Sequence, residues 1–255
     1  MKVYAAKNKD DAIRLKSSSG GLFSLLAEEI IRNKGIVVGA VWNDLDVKHV
    51  AIDDMQELHA LRKSKYVKST VDTSLYNFTD KEVLFSGTPC QMPSKKKDNY
   101  TYLSVVCHGT PTKQSFQEYC EKTNIKYMNF RNKETGWTNF HVTYELHNGE
   151  IISQPFQENE FMQDFLNNRN LTKMCYNCPF KEFKDNSDIM LGDFWGVGDE
   201  YPDFADNQGI SVVFIKTEKG EQLFDKIKEK IEYIEVDVNK VIKYNPSIIK
   251  SAERK

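Results

Sequence analysis

Val83-Leu-Phe-Ser-Gly-Thr-Pro-Cys-Gln91 and Tyr102-Leu-Ser-Val-Val-Cys-His-Gly109 decide how the chain folds. Each opens with a short apolar run, residues 83–86 and 102–107, and breaks at a Gly or Pro turn beside one cysteine. Apolar runs without polar alternation suit strands covered on both faces, as in the middle of a parallel sheet. The stretches between them are long enough for crossovers, so a mixed, partly parallel sheet flanked by helices is expected. Ligands bind such sheets beyond the carboxyl ends of the strands, which is where Cys90 and Cys107 would emerge.

Working outward, residues 22–33 place Leu22, Leu25, Leu26, Ile30 and Ile31 at helical spacing behind Ser17-Ser-Ser-Gly-Gly21. Residues 36–42 and 47–52 read as a hairpin across Asn43-Asp-Leu-Asp46, and residues 112–122 as a helix. The middle of the chain changes character. Residues 127–131, 138–146 and 150–153 are strand-like, with Asn148-Gly149 marking a tight antiparallel hairpin. A helix is expected over 161–168, a strand running into a glycine-bounded turn over 187–196, a strand over 210–216 and a helix over 218–230. The class is α/β with mixed α+β character. No repeat or long linker interrupts it, and one domain over 1–255 is the simplest organisation.

With 255 residues, 40% of them apolar, the chain can bury a sizeable core without staples. Its 35 basic and 37 acidic residues nearly cancel, which argues against a nucleic-acid partner. No apolar stretch approaches the ~20 residues of a membrane span and the start lacks a signal-like apolar region, so a cytoplasmic location is expected. Five cysteines, an odd number, argue against a disulfide framework.

Four of those cysteines carry the chemistry. Met174-Cys-Tyr-Asn-Cys-Pro179 brings Cys175 and Cys178 to one side of a tight turn, and with Cys90 and Cys107 they make four thiolates. Four thiolates complete a tetrahedral zinc site or an iron-sulfur cube. Taken singly, Cys90 and Cys107 would also serve as small core residues. Cys120 lies inside the helical run without turn flanks and reads as structural.

Other residues have two readings each. The loop Ser18, Ser19, Gly20, Gly21 opens a helix, so its backbone suits a phosphate or pyrophosphate, or a serine simply caps the helix. His108 is a candidate proton donor or a strand terminator. Asp193 either bonds a cofactor ring or caps a turn, and Trp195 either stacks on a flat ring or anchors the core. Lys65 and Tyr66 would hold a phosphate and a ring, or lie on a wet surface.

In order along the chain, Ser17-Ser-Ser-Gly-Gly21, Ser64-Lys-Tyr-Val-Lys-Ser69, Gly87-Thr-Pro-Cys-Gln91, Cys107-His-Gly109, Phe130-Arg-Asn-Lys-Glu-Thr-Gly-Trp137, Cys175-Tyr-Asn-Cys178 and Gly192-Asp-Phe-Trp-Gly196 resemble the beta-subunit family of coenzyme F-420 hydrogenase and dehydrogenase, chiefly its C-terminal part. The resemblance implies an iron-sulfur flavoprotein oxidoreductase. Cys90, Cys107, Cys175 and Cys178 would ligate one 4Fe-4S cluster, and FAD would lie against Ser18, Ser19, Gly20, Gly21, Lys65, Tyr66, Ser69 and Trp195. His108 and Asp193 would serve an unidentified small organic substrate or the deazaflavin. Bacterial relatives of this kind often accompany polysaccharide biosynthesis genes.

The chain departs from many relatives in lacking the ferredoxin-like module that precedes the flavin motif, so an external ferredoxin or partner subunit is expected to supply electrons. Lys173, Lys181 and Lys184 around the CxxC offer a basic docking face for it. The short lysine-rich segment after Gln91 is a second departure. The rival reading is a non-catalytic accessory protein of glycan biosynthesis with zinc, or nothing, at the four thiolates.

Overall fold

Residues 83–85 and 100–104 are buried on both faces, and the chain places their strands side by side inside its larger sheet. The computed structural model describes residues 1–254. Its strands are β1 (Lys2–Asn8), β2 (Ile36–Asn43), β3 (Asp46–Ile52), β4 (Val83–Gly87), β5 (Tyr100–Val105), β6 (Ile125–Asn132), β7 (His141–Leu146), β8 (Ile151–Pro155), β9 (Ile189–Asp193), β10 (Ser211–Ile215) and β11 (Ile231–Glu235). The helices are α1 (Asp11–Leu15), α2 (Leu22–Arg32), α3 (Leu58–Leu61), α4 (Lys113–Thr123), α5 (Glu160–Leu166), α6 (Val197–Glu200), α7 (Glu218–Asp225) and α8 (Val238–Tyr244).

Eight strands form one sheet in the order β11-β1-β10-β9-β5-β4-β2-β3, and β6-β7-β8 form a separate antiparallel sheet. The four strands β2, β4, β5 and β9 run parallel, while β3, β10, β1 and β11 join antiparallel at the flanks. Side chains alternate between faces, so Leu84, Val213 and Ile215 meet α2 and α7 on one side. Phe85 packs on the opposite side with Tyr100 and Tyr102, while Val212 and Phe214 reach Phe194 and Val241 there. A third cluster joins the smaller sheet to α4 and α5 through Phe116, Phe130, Phe161 and Phe165.

The helix expected over 218–230 is shorter. It stops at Asp225, the fully buried Ile227 turns into the core, and a 3-10 turn over Lys228–Lys230 feeds β11. β11, Ile-Glu-Tyr-Ile-Glu, lies just past the expected helix and outside every expected strand; only its first residue is buried, so its own pattern gives little sign of a strand. β1 likewise carries only a weak alternation and is fixed by its partners rather than by its own composition.

Candidate functional site

The parallel strands end at a common edge, and that edge carries the chemistry. β4 runs into a 3-10 turn over Pro89–Gln91 that presents Cys90, β5 stops at Val105 two residues before Cys107, and β9 ends on Asp193. A 3-10 turn over Lys173–Asn177 delivers Cys175 and leads into Cys178. All four thiols line one small cavity of about 40 Å³. Cys90, Cys107 and Cys175 also border a much larger cavity of about 1160 Å³ that continues over the same edge. Cys120 is buried in α4 within the third core cluster, away from both cavities.

Burial pushes the Cys107 thiol up to about 12, and Cys175 is raised for the same reason. For Cys175 a backbone donor partly offsets this, and a hydroxyl stands beside Cys90. The backbone N–H of Thr110 points at Cys175 Sγ (3.4 Å), and the Thr88 hydroxyl lies 3.2 Å from Cys90 Sγ. Among the described residues, no three His, Cys, Asp or Glu side chains meet at the spacing one metal ion needs. The four thiols border one shared cavity.

The loops that carry the thiols are laced to a segment near residue 250. Lys181 Nζ donates to Cys107 O (2.8 Å) and Ser247 O (2.6 Å), and Cys178 N–H donates to Ser251 Oγ (2.9 Å). Of the expected basic face, Lys181 is occupied inside the site, while Lys173 and Lys184 are exposed and Lys184 pairs with Glu182. His108 borders both cavities, and its Nε2 lies 2.6 Å from Asn168 Oδ1. Asn168 Nδ2 donates to Glu253 O, which fixes the amide orientation and makes His108 Nε2 the donor. Burial lowers the His108 pKa, so the ring is neutral near pH 7.

The large cavity brings together most of the remaining candidates. Ser18, Ser19, Gly21, Lys65, Tyr66, Ser69, Asp193 and Trp195 line it. Gly21, at φ +81°, is the N-cap of α2, and no side chain caps the helix, so the first-turn N–H groups stay available beside the cavity. Gly20 is set back from it. Its N–H donates to Ser211 Oγ (3.0 Å), and a Cβ there would sit 2.6 Å from Ala6 O. Its lack of a side chain therefore lets the loop press against β1 and β10.

Ser18 Oγ accepts from Ser64 N–H (2.7 Å), which ties the serine loop to the Ser64–Ser69 segment. Lys65 curls back to donate to Arg62 O (2.8 Å) and Lys63 O (3.2 Å), and burial brings its pKa down to about 7. Asp193 accepts from Arg131 through both oxygens (3.0 and 3.1 Å) and from Trp137 Nε1 (2.9 Å). Trp195 stacks on Trp137 with ring centres 4.8 Å apart.

Arg131 is the residue the sequence did not single out. It comes from β6 of the smaller sheet and its side chain is 1% exposed. Besides Asp193 it donates to Ser18 O (3.0 Å) and Tyr66 OH (3.2 Å) and lies over the Phe140 and Trp195 rings. Burial, the largest single influence, would pull its pKa down, yet the charge of Asp193, Tyr66 and the hydrogen bonds to both together outweigh it and leave the pKa raised. One guanidinium thus fastens the serine loop, the Tyr66 segment and the end of β9. The place of Arg131 in the run Phe130-Arg-Asn-Lys-Glu-Thr-Gly-Trp137, one of the family-like motifs, was the available signal.

Two family models match the chain: coenzyme F420 hydrogenase/dehydrogenase beta subunit, N-term, over residues 3–75, and the C terminus of the same subunit over residues 80–240. The chain belongs to this beta-subunit family. The match is broader than the C-terminal part the motifs pointed to, since the N-terminal region is also present. The chain is an oxidoreductase of this family. A chain in a xenon-derivatised F420-reducing NiFe hydrogenase complex from Methanosarcina barkeri shares the fold, with a TM-score of 0.64 at 18% identity over 96% of this chain and 90% of that one. No curated protein matches. Among the described residues no helix is long and apolar enough to cross a membrane.

Proposed function

We propose that the chain is an iron-sulfur flavoprotein that passes electrons between a 4Fe-4S cluster, FAD and a small organic substrate or deazaflavin. The observation that carries this reading is the arrangement of Cys90, Cys107, Cys175 and Cys178 around one small cavity that adjoins the large one. Four thiols around one cavity supply the ligand set of a cube. A volume of about 1160 Å³ exceeds the range of ~300–1,000 Å³ usual for drug-sized ligands, which suits a dinucleotide.

When bound, a flavin exchanges electrons in pairs and a cluster singly, which lets one protein join the two regimes. The chain's own residues supply the setting. The uncapped first turn of α2 offers N–H groups to a pyrophosphate and Ser18 its O–H, while the Ser19 hydroxyl is engaged with Ile210 O (2.8 Å). Arg131 and Asp193 fix the wall against which the ring system would lie, and Asp193, bonded three times, is a positioning group rather than a proton carrier. His108, neutral and donating through Nε2, stands between the two cavities as the group suited to hold a proton.

The Methanosarcina barkeri chain sits in a hydrogenase complex, and by analogy this chain would receive electrons from a partner subunit or an external ferredoxin. Anaerobic purification and reconstitution test the reading. About four iron per chain, a brown broad-band chromophore and a releasable flavin are expected. Stoichiometric zinc, or no metal after reconstitution, would reject it and favour an accessory role.

A further inference from the structure

The hydroxyl of Thr88 has one proton and two acceptors within reach. Cys90 Sγ lies at 3.2 Å and Gln91 Oε1 at 3.0 Å. Gln91 is held for this role from both ends of its amide. Oε1 also accepts from Thr88 N–H at 2.9 Å, and Nε2 donates to Ser69 Oγ at 2.9 Å, in the wall of the large cavity. The backbone N–H of Thr88, which can only donate, settles which end of the amide faces it.

With a protonated Cys90, the thiol donates to the Thr88 oxygen and the hydroxyl proton rests on Gln91. A metal-bound thiolate has no proton to give and is the stronger acceptor because it is charged. The hydroxyl then rotates toward sulfur, while Gln91 keeps the backbone N–H of Thr88 and loses nothing else. We propose that Thr88 donates this hydrogen bond to the Cys90 sulfur of the loaded protein, with Gln91 positioning it, and that it thereby raises the reduction potential of the centre.

The inference rests on the iron-sulfur reading above. Hydrogen bonds to cluster sulfurs favour the more negative, reduced state and are one of the levers on potential. Reduction adds one electron and no proton leaves Thr88, so only the strength of the bond differs between the two states. The line of bonds runs on through Gln91 to Ser69, so the potential of the centre is tied to how the cavity wall is set.

Redox titration of the anaerobically reconstituted protein, followed by electron paramagnetic resonance, tests this in the wild type, Thr88→Val and Thr88→Ser. Thr88→Val keeps the shape and removes the donor, and it should shift the one-electron equilibrium about tenfold toward the oxidised form, a fall of about 59 mV. Thr88→Ser keeps the hydroxyl and should stay near the wild type. Thr88 is only partly buried, and Thr88→Ala, which can introduce no clash, serves as a second donor-free variant if the valine is not accommodated. An unmoved potential in the donor-free variants at normal iron content overturns this inference alone, as does an equal fall in Thr88→Ser. A wild type that binds no iron overturns the parent reading, and this one with it.

Discussion

Arg131→Met removes one partner of a buried ion pair and leaves the other behind. The Arg131 side chain is 1% exposed and Asp193 18%, so little water is on hand to replace the lost charge. Breaking such a pair costs roughly 3–5 kcal/mol, because the surviving carboxylate stays in a low-dielectric site. Asp193 keeps its bond from Trp137, which holds the expected loss toward the lower end. For a chain of this size each kcal/mol moves the melting temperature by about 2–4 °C, so a fall of roughly 6–20 °C is expected.

Thermal and urea unfolding of the apo protein measures this without any cofactor. The double variant Arg131→Met/Asp193→Leu should recover much of the loss, because replacing both members of a buried pair is far milder than orphaning one. A single-variant cost under about 1 kcal/mol, or a double variant as unstable as the single, would refute the view that this pair holds the cavity wall together.

Four shorter expectations accompany it. Gly20→Val places a Cβ against Ala6 O and Ser211 N, so it should lower soluble yield and stability by ~1–3 kcal/mol, read from denaturant midpoints, rather than act on flavin binding alone. Lys181→Met frees the Cys107 and Ser247 carbonyls and should speed iron loss to a chelator several-fold, whereas Cys120→Ala should leave iron content unchanged. Burial and the nearby Arg131 lower the Lys133 pKa from 10.5 to about 7. Between those values the unfolded chain binds the extra proton, so stability should rise with pH across that window, and Lys133→Met should flatten the rise between pH 7 and pH 9 in unfolding curves.

The central strands were legible because they are covered on both faces and read as unbroken apolar runs; the hairpin β2–β3 and helix α2 announced themselves by period and by turn residues. The four cysteines stood out because their Gly and Pro flanks mark the turns after β4 and β5 and around the CxxC. What the sequence hid is non-local. Arg131 acts only once β6 meets the serine loop and β9, and nothing in Phe130-Arg-Asn says which carboxylate waits for it. The segment that fastens the cysteine loops through Ser247 and Ser251 carries no motif, since its contribution is largely two backbone-scale contacts. Lys181 read as part of a docking face for the same reason: a lysine shows its sign in the sequence but not its target.

The place of β1 between β10 and β11 has a consequence for how the chain reaches its native state. Lys2 pairs opposite Ile215 and Asn8 opposite Ile231, so this strand has no partner until residues far down the chain have been synthesised. Contacts of such separation are slow to form, and an unpaired apolar strand is a template for association in the meantime. A fragment confined to the N-terminal family region, residues 3–75, would keep that strand permanently without its ladder, even though sequence comparison treats the region as a unit. The strand order thus predicts that co-expressed holdase chaperones raise soluble yield, which a side-by-side expression comparison checks.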